Sequence, residues 1–353
     1  MRIINSMERD FAKMSVRLPY MDVAKGILIL MVVWSHFALM ERVCYGVDNK
    51  YVIAFTNIKI TWISFFMPAF FFITGYCSSF DKKIVLFLTK GFSTIVLPSI
   101  IVSVITQSVD YIHMGMSLTW SGKTIIKSVL LNAGNEWFLP SLFIGRILCF
   151  LGIRLTKSLM MQGIIMIVIC IGGVYLYNNT PGLYNFWFFK HAFMVTFFIW
   201  LGIVFKRVTL TIKKQMAFAV GYILLFVSLY FLHIHIPYIT NKTALSFSEL
   251  PLLLALSFTG IMLILGLSKV VTRYNVCHSV DILKYIGKNS IVIYLLHFGF
   301  YRIYIYMFLD VLRNENFVQS WLVICLILLL NILSCCIMAW VLNKRYFRWI
   351  LGK

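Results

Sequence analysis

The chain alternates between long apolar runs and short polar segments from one end to the other. About ten runs are long enough to cross ~30 Å of hydrocarbon as helices. They are predicted near Met21–Met40, Ile58–Ser79, Thr94–Ile112, Glu136–Ile153, Met160–Tyr177, Phe186–Phe205, Met216–Ile234, Leu250–Val271, Ser290–Val311 and Ser320–Leu342. Pro68 is expected to kink the second run, and Pro98 interrupts the third. Between them, Asp81 to Gly91 reads as an amphipathic segment lying on the membrane surface.

Polar residues inside these runs stand out by their spacing. Asp22, Lys25, Ile29, Val32 and His36 follow the i, i+3, i+4 rhythm of one helical stripe. Lys25 and His36 then share a face, roughly 16 Å apart along the axis. An ionisable group in such a segment is expensive and is a functional candidate by default. Lys25 is equally readable as a snorkelling anchor paired with Asp22. In the ninth run, Ser290, Tyr294, His297 and Tyr301 form a second polar stripe, expected to line the interior opposite His36. A hydrogen-bonded core histidine is the plainer reading of His297.

The fourth run opens on Glu136 and Trp137. A carboxylate beside an indole can hold a sugar, the ring stacking on its apolar face; the same pair also suits an ordinary helix start at an interface. Arg146, Lys190, His191 and Arg302 lie within runs as well. The last three can serve an anionic ligand or pair with Glu136 or Asp310. Thr74-Gly75-Tyr76 permits close approach of another helix.

Composition fixes the class. Of 353 residues, 61% are hydrophobic and 12% charged, where a globular domain carries about 25% charged residues. An all-α, polytopic transmembrane helical bundle follows, a single membrane-embedded domain over residues 1–353. Residues 1–20 form a polar N-terminal segment and 343–353 a basic tail, and the first run is expected to direct insertion without a cleaved signal.

A net charge of +20 raises nucleic acid as a partner, but the basic residues sit in short clusters between runs. One alternating set of loops carries Lys82, Lys83, Lys90, Arg154, Lys157, Lys206, Arg207, Lys213, Lys214, Lys269, Arg273, Lys284 and Lys288, with both terminal segments adding more. The other set has only Arg42, Lys50, Lys59, Lys123, Lys127, Lys242 and Arg313. This imbalance is an orientation signal that places both termini in the cytoplasm, with membrane lipid and no nucleic acid as partner. The eight cysteines show neither CxxC nor His/Cys metal spacing, so neither a metal nor a permanently bound cofactor is expected.

Four motifs in order resemble the acyltransferase 3 family of integral-membrane O-acyltransferases. They are Asp22-x-x-Lys25-Gly26 running to His36, Phe65-Phe66-Met67-Pro68 running to Thr74-Gly75-Tyr76, Glu136-Trp137-Phe138-Leu139-Pro140, and Ile286-Gly287-Lys288-Asn289-Ser290 running to His297. The fucose 4-O-acetylase-like branch is the most similar. Thr74 stands where the family often has Ser, and the extra hydrolase-like domain of some relatives is missing. The resemblance implies acyl transfer, usually acetyl, from cytoplasmic acetyl-CoA to a hydroxyl of a cell-surface or lipid-linked glycan, in a bacterial cytoplasmic membrane. It implies that Lys25, Asp22, Lys82, Lys83 and Lys90 hold the donor. His36 would act as general base or transient acyl carrier, with Glu136 and Trp137 facing the acceptor. Arg146, Ser290, Tyr294, His297 and Arg302 would line the interior. The alternative is a non-enzymatic transporter or flippase of a glycan or lipid, which the lack of a half-to-half repeat disfavours.

Overall fold

Backbone amides in hydrocarbon must find their partners within the chain, which favours helices. In the computed structural model, residues 18–81, 83–113, 118–133, 137–181, 183–208, 210–239, 245–274, 279–314 and 316–351 are described, with backbone only at 38–45, 110–113 and 118–121. Among them there are helices and turns but no strand. Nine helices among the described residues are long and apolar enough to cross a membrane, or ten if one bent pair counts as a span.

The helices are α1 (Pro19–Tyr45), α2 (Lys50–Asn57), α3 (Phe66–Cys77), α4 (Ile84–Gly91), α5 (Leu97–His113), α6 (Leu118–Asn132), α7 (Phe138–Leu155) and α8 (Leu159–Asn179). They continue with α9 (Phe189–Phe205), α10 (Ile212–Phe231), α11 (Leu250–Tyr274), α12 (Ser279–Lys288), α13 (Ser290–Met307), α14 (Leu309–Arg313) and α15 (Phe317–Leu342).

The second predicted span is broken rather than kinked at Pro68. A 3₁₀ turn at Ile58–Thr61 ends before α3 begins, and the two parts meet at 41°. Pro68 instead occupies the first turn of α3, where no intrahelical donor is required. Carbonyls freed by the break are taken up elsewhere: Tyr222 donates to Thr61 O at 2.6 Å and Ser257 to Ser64 O at 2.8 Å.

The third span also differs from expectation. Ile84 to Val109 forms one continuous helical stretch long and apolar enough to be a span, so the segment after Asp81 is joined to the third predicted span rather than standing apart from it. A π turn at Phe92–Val96 joins α4 to α5, and the Leu97 amide reaches back to Phe92 O. That wider turn shifts the hydrogen-bond ladder just before Pro98, which has no N–H to give. Ile84, Val85 and Leu86 are exposed, as suits lipid contact.

Two backbone crossings set the frame of the interior. A methyl group on Gly287 would overlap the Asp22 carbonyl, and one on Gly26 the Leu283 carbonyl. α12 therefore lies directly on the start of α1. Likewise Gly75 faces Ile199 O, and Gly202 faces Phe72 O, seating α3 on α9. Small residues allow this approach, as expected for Thr74-Gly75-Tyr76.

Candidate active site

A cavity of about 290 Å³ opens among α1, α3, the π turn, α7 and α13. Lys25, Ile29 and Val32 of α1 form one wall, spaced four and three residues apart on a single face. α3 supplies Met67, Phe70, Ile73 and Thr74; the π turn supplies Thr94 and Ile95. Arg146 and Phe138 come from α7, and Ser290 and Tyr294 from α13. Its mouth, marked by Lys25, Cys77, Ser78 and Lys288, lies at the bundle end that carries the basic loops.

Lys25 donates to Asp22 Oδ1 at 3.0 Å, and Asp22 is buried beneath it. No ion pair joins Arg146 to a carboxylate among the described residues. Its guanidinium lies 4.9 Å from the centre of the Phe87 ring, and its Nε is buried without a hydrogen-bond partner. A cation in that position favours an anionic or polarised guest.

Phe138 and Tyr294 also line the cavity, their ring centroids 5.2 Å apart. One helical turn beyond Val32 stands His36, and three residues beyond Tyr294 stands His297. Their rings stack 4.9 Å apart, with His36 Nδ1 and His297 Nε2 separated by 2.7 Å. His297 is fully buried, while His36 is half-buried against Phe298.

The hydrogen-bond chain assigns the protons. His297 Nδ1 lies 3.1 Å from the Ile293 carbonyl, which can only accept, so that nitrogen carries hydrogen. In neutral His297 the Nε2 is then an acceptor, and His36 Nδ1 must donate to it. This leaves His36 Nε2 with a bare lone pair, the form a proton acceptor needs. The pair is held from both sides: Asn331 donates to His297 O at 2.8 Å, and Tyr301 donates to Val33 O at 2.7 Å.

The two polar stripes thus meet across one interface. Ser290, Tyr294, His297 and Tyr301 are all buried. Trp137 is buried too, with its ring 5.5 Å from that of His191. Glu136 and Lys82 lie outside the described residues. Arg302 corrects the sequence reading, because it is exposed on the outer face of α13. Tyr301 points inward, and one residue further turns the helix by about 100°. Lys83 and Lys90 are exposed and are not among the residues lining the cavity. Lys190 and His191 serve locally: Lys190 donates to Thr180 O, and His191 Nδ1 lies 3.0 Å from the Asn185 amide.

Asn331 went unnoticed in the sequence, although an asparagine in the Leu-rich run of α15 is itself a signal. No group of three or more His, Cys, Asp or Glu among the described residues is placed to hold a metal ion.

A family model described as an acyltransferase domain, Acyl_transf_3, matches residues 18–340. No curated protein and no solved structure matches the chain.

Proposed function

As a member of the acyltransferase 3 family the chain is a membrane acyltransferase, and we propose that it moves an acetyl group from acetyl-CoA to a glycan hydroxyl. The donor enters at the basic end, which the loop charges assign to the cytoplasm. Its thioester arm runs along Lys25, Ile29 and Val32 towards His36. Arg146 draws the anionic donor inwards or polarises its carbonyl oxygen. The acceptor, a cell-surface or lipid-linked sugar, reaches His36 from the opposite end, past the Trp137 side of α7.

The observation that carries this reading is the bare Nε2 of His36, fixed by the contact to His297. A sugar hydroxyl is a weak nucleophile, so a positioned base is needed. His36 Nε2 takes the hydroxyl proton as the sugar oxygen bonds to the thioester carbon. The tetrahedral intermediate collapses, the C–S bond breaks, and the imidazolium returns the proton to the departing thiolate. Transfer through an acyl-imidazole on the same nitrogen needs the same lone pair.

Purified protein incubated with labelled acetyl-CoA and surface-glycan extract tests this. Acceptor-dependent coenzyme A release that drops about 10²–10⁴-fold in His36→Ala is expected. Undiminished transfer in that variant would remove His36 from the chemistry.

A further inference from the structure

α12 and α13 meet at Asn289, and their hydrogen-bond ladders do not join there. The Asn289 N–H closes α12 on Tyr285 O and Ile286 O, and α13 opens with Ile293 N–H on Asn289 O. The amides of Ser290, Ile291 and Val292 fall between the two ladders, as first-turn donors that need an outside acceptor. An asparagine at this position ordinarily supplies one. Here it does not cap the helix: its Nδ2 donates to Tyr285 O, and its Oδ1 accepts from Asn343 Nδ2 at 2.8 Å. Ser290 is 8% exposed and lines the cavity, and among the described residues no hydrogen bond reaches its hydroxyl. Ile291 and Lys288 line the same cavity, and Lys288 has no ion-pair partner among the described residues.

Donors without an acceptor, the positive end of a helix and a lysine together describe a place for an anion. The size of the cavity says which part of the donor arrives there. At about 290 Å³ it stands at the small end of the range for ligand pockets, roughly 300–1,000 Å³. A coenzyme A thioester is too large to be enclosed, so its arm fills the cavity and its phosphates stay at the mouth. We propose that the amino end of α13, with the Ser290 hydroxyl and Lys288, is the subsite for the phosphate that joins the pantetheine arm to the nucleotide. This rests on the acetyl-CoA reading above. Lys25 stands at the same mouth, but its ammonium is already held by Asp22 at 3.0 Å. No Asp or Glu is among the residues that line the cavity, so no carboxylate there opposes the anion.

The test uses the full chain in nanodiscs and 4′-phosphopantetheine as probe, beside pantetheine, which has the arm without the phosphate. The wild-type chain should hold the phosphorylated form more tightly. Ser290→Ala and Lys288→Gln should each weaken its binding about tenfold and leave pantetheine unchanged. Ser290→Thr, which keeps the hydroxyl, should recover binding. Lys213→Gln, which removes an exposed charge outside the cavity, should change nothing. Unaltered thermal melting of the variants separates loss of binding from loss of fold. Coenzyme A is measured in parallel. If it binds, and phosphopantetheine is held equally by the wild type, Ser290→Ala and Lys288→Gln, the subsite is wrong and the donor reading stands. If neither coenzyme A nor phosphopantetheine binds the wild-type chain, both fail. Nanodiscs containing phosphatidic acid form the other arm. Ser290-dependent retention of that lipid, not displaced by coenzyme A, would assign the anion site to a lipid headgroup and overturn the proposal.

Discussion

His36 and His297, 261 positions apart in the chain, share a 2.7 Å hydrogen bond in which His297 can only accept. His297 therefore acts on the reaction through the tautomer of its neighbour. His297→Ala is expected to lower kcat roughly 10²-fold with little change in the KM for acetyl-CoA, as a misplaced catalytic group would. His297→Gln, whose amide oxygen can replace Nε2 as acceptor, should recover part of the loss. Equal activity of the two variants would show that tautomer control is not what His297 provides.

Arg146 has a different signature. Replacement by Gln removes a cation from the cavity while keeping a polar amide there. A charge-assisted contact is worth about 1.5–3 kcal/mol, so the KM for acetyl-CoA should rise about tenfold or more. Arg146→Lys should fall in between, since a point charge lacks the planar donors. Steady-state kinetics over a range of donor concentrations decides it.

The glycine crossings predict stability effects without chemistry. Gly287→Ala and Gly26→Ala would each force α12 away from α1, because the obstacle is a backbone carbonyl rather than a movable side chain. Overpacking of this sort costs about 1–3 kcal/mol. Thermal unfolding in detergent should show both variants melting lower, whereas Gly172→Ala, with open space around it, should be neutral.

Asn49 ties the loop after α1 to the far end of the chain. Its amide nitrogen lies within hydrogen-bond reach of Leu312 O, Asn314 O and Ser320 Oγ, and its oxygen caps α2 at Tyr51 and Val52. Asn49→Ala would leave buried acceptors unsatisfied, at about 1–3 kcal/mol. The expected outcome is a lower melting temperature with the donor KM unchanged.

Outside the spans, Glu249 offers a pH test. Ser246 N–H and Ser246 Oγ both bond its carboxylate at the start of α11, and His235 lies 2.9 Å away. The Ser246 backbone bond foremost, with the Ser246 hydroxyl and His235 adding to it, holds its pKa below the ordinary carboxylate value. A carboxylate depressed in the folded state contributes stability above its unfolded pKa, and that contribution fades as pH falls through the folded value. Acid melting curves should therefore steepen below the usual carboxylate range, and Glu249→Gln should flatten them.

The spans and the central stripes were legible because a polar side chain at helical spacing has few innocent explanations in an apolar run. Lys25, Ser290 and Tyr294 line one cavity, and His36 meets His297 within one helical turn of its lining residues Val32 and Tyr294, for that reason. Arg302 misled because a charge within an apolar run does not say which face it occupies, and one residue past Tyr301 the helix has turned outward. The run after Asp81 misled because its lysines read as a water-facing side. A π turn, which no residue type announces, joins it to the following apolar helix instead.

That π turn has a consequence for register. It holds one more residue than an α-helical turn at the point where Thr94 and Ile95 meet the cavity. Deleting a single residue between Phe92 and Val96 would let a regular α-helix form with the flanking segments near their present phase, whereas the same deletion in the regular helix on either side would rotate one part by about 100° against the other. The cavity wall depends on the helical phase of this segment as much as on which side chains it carries.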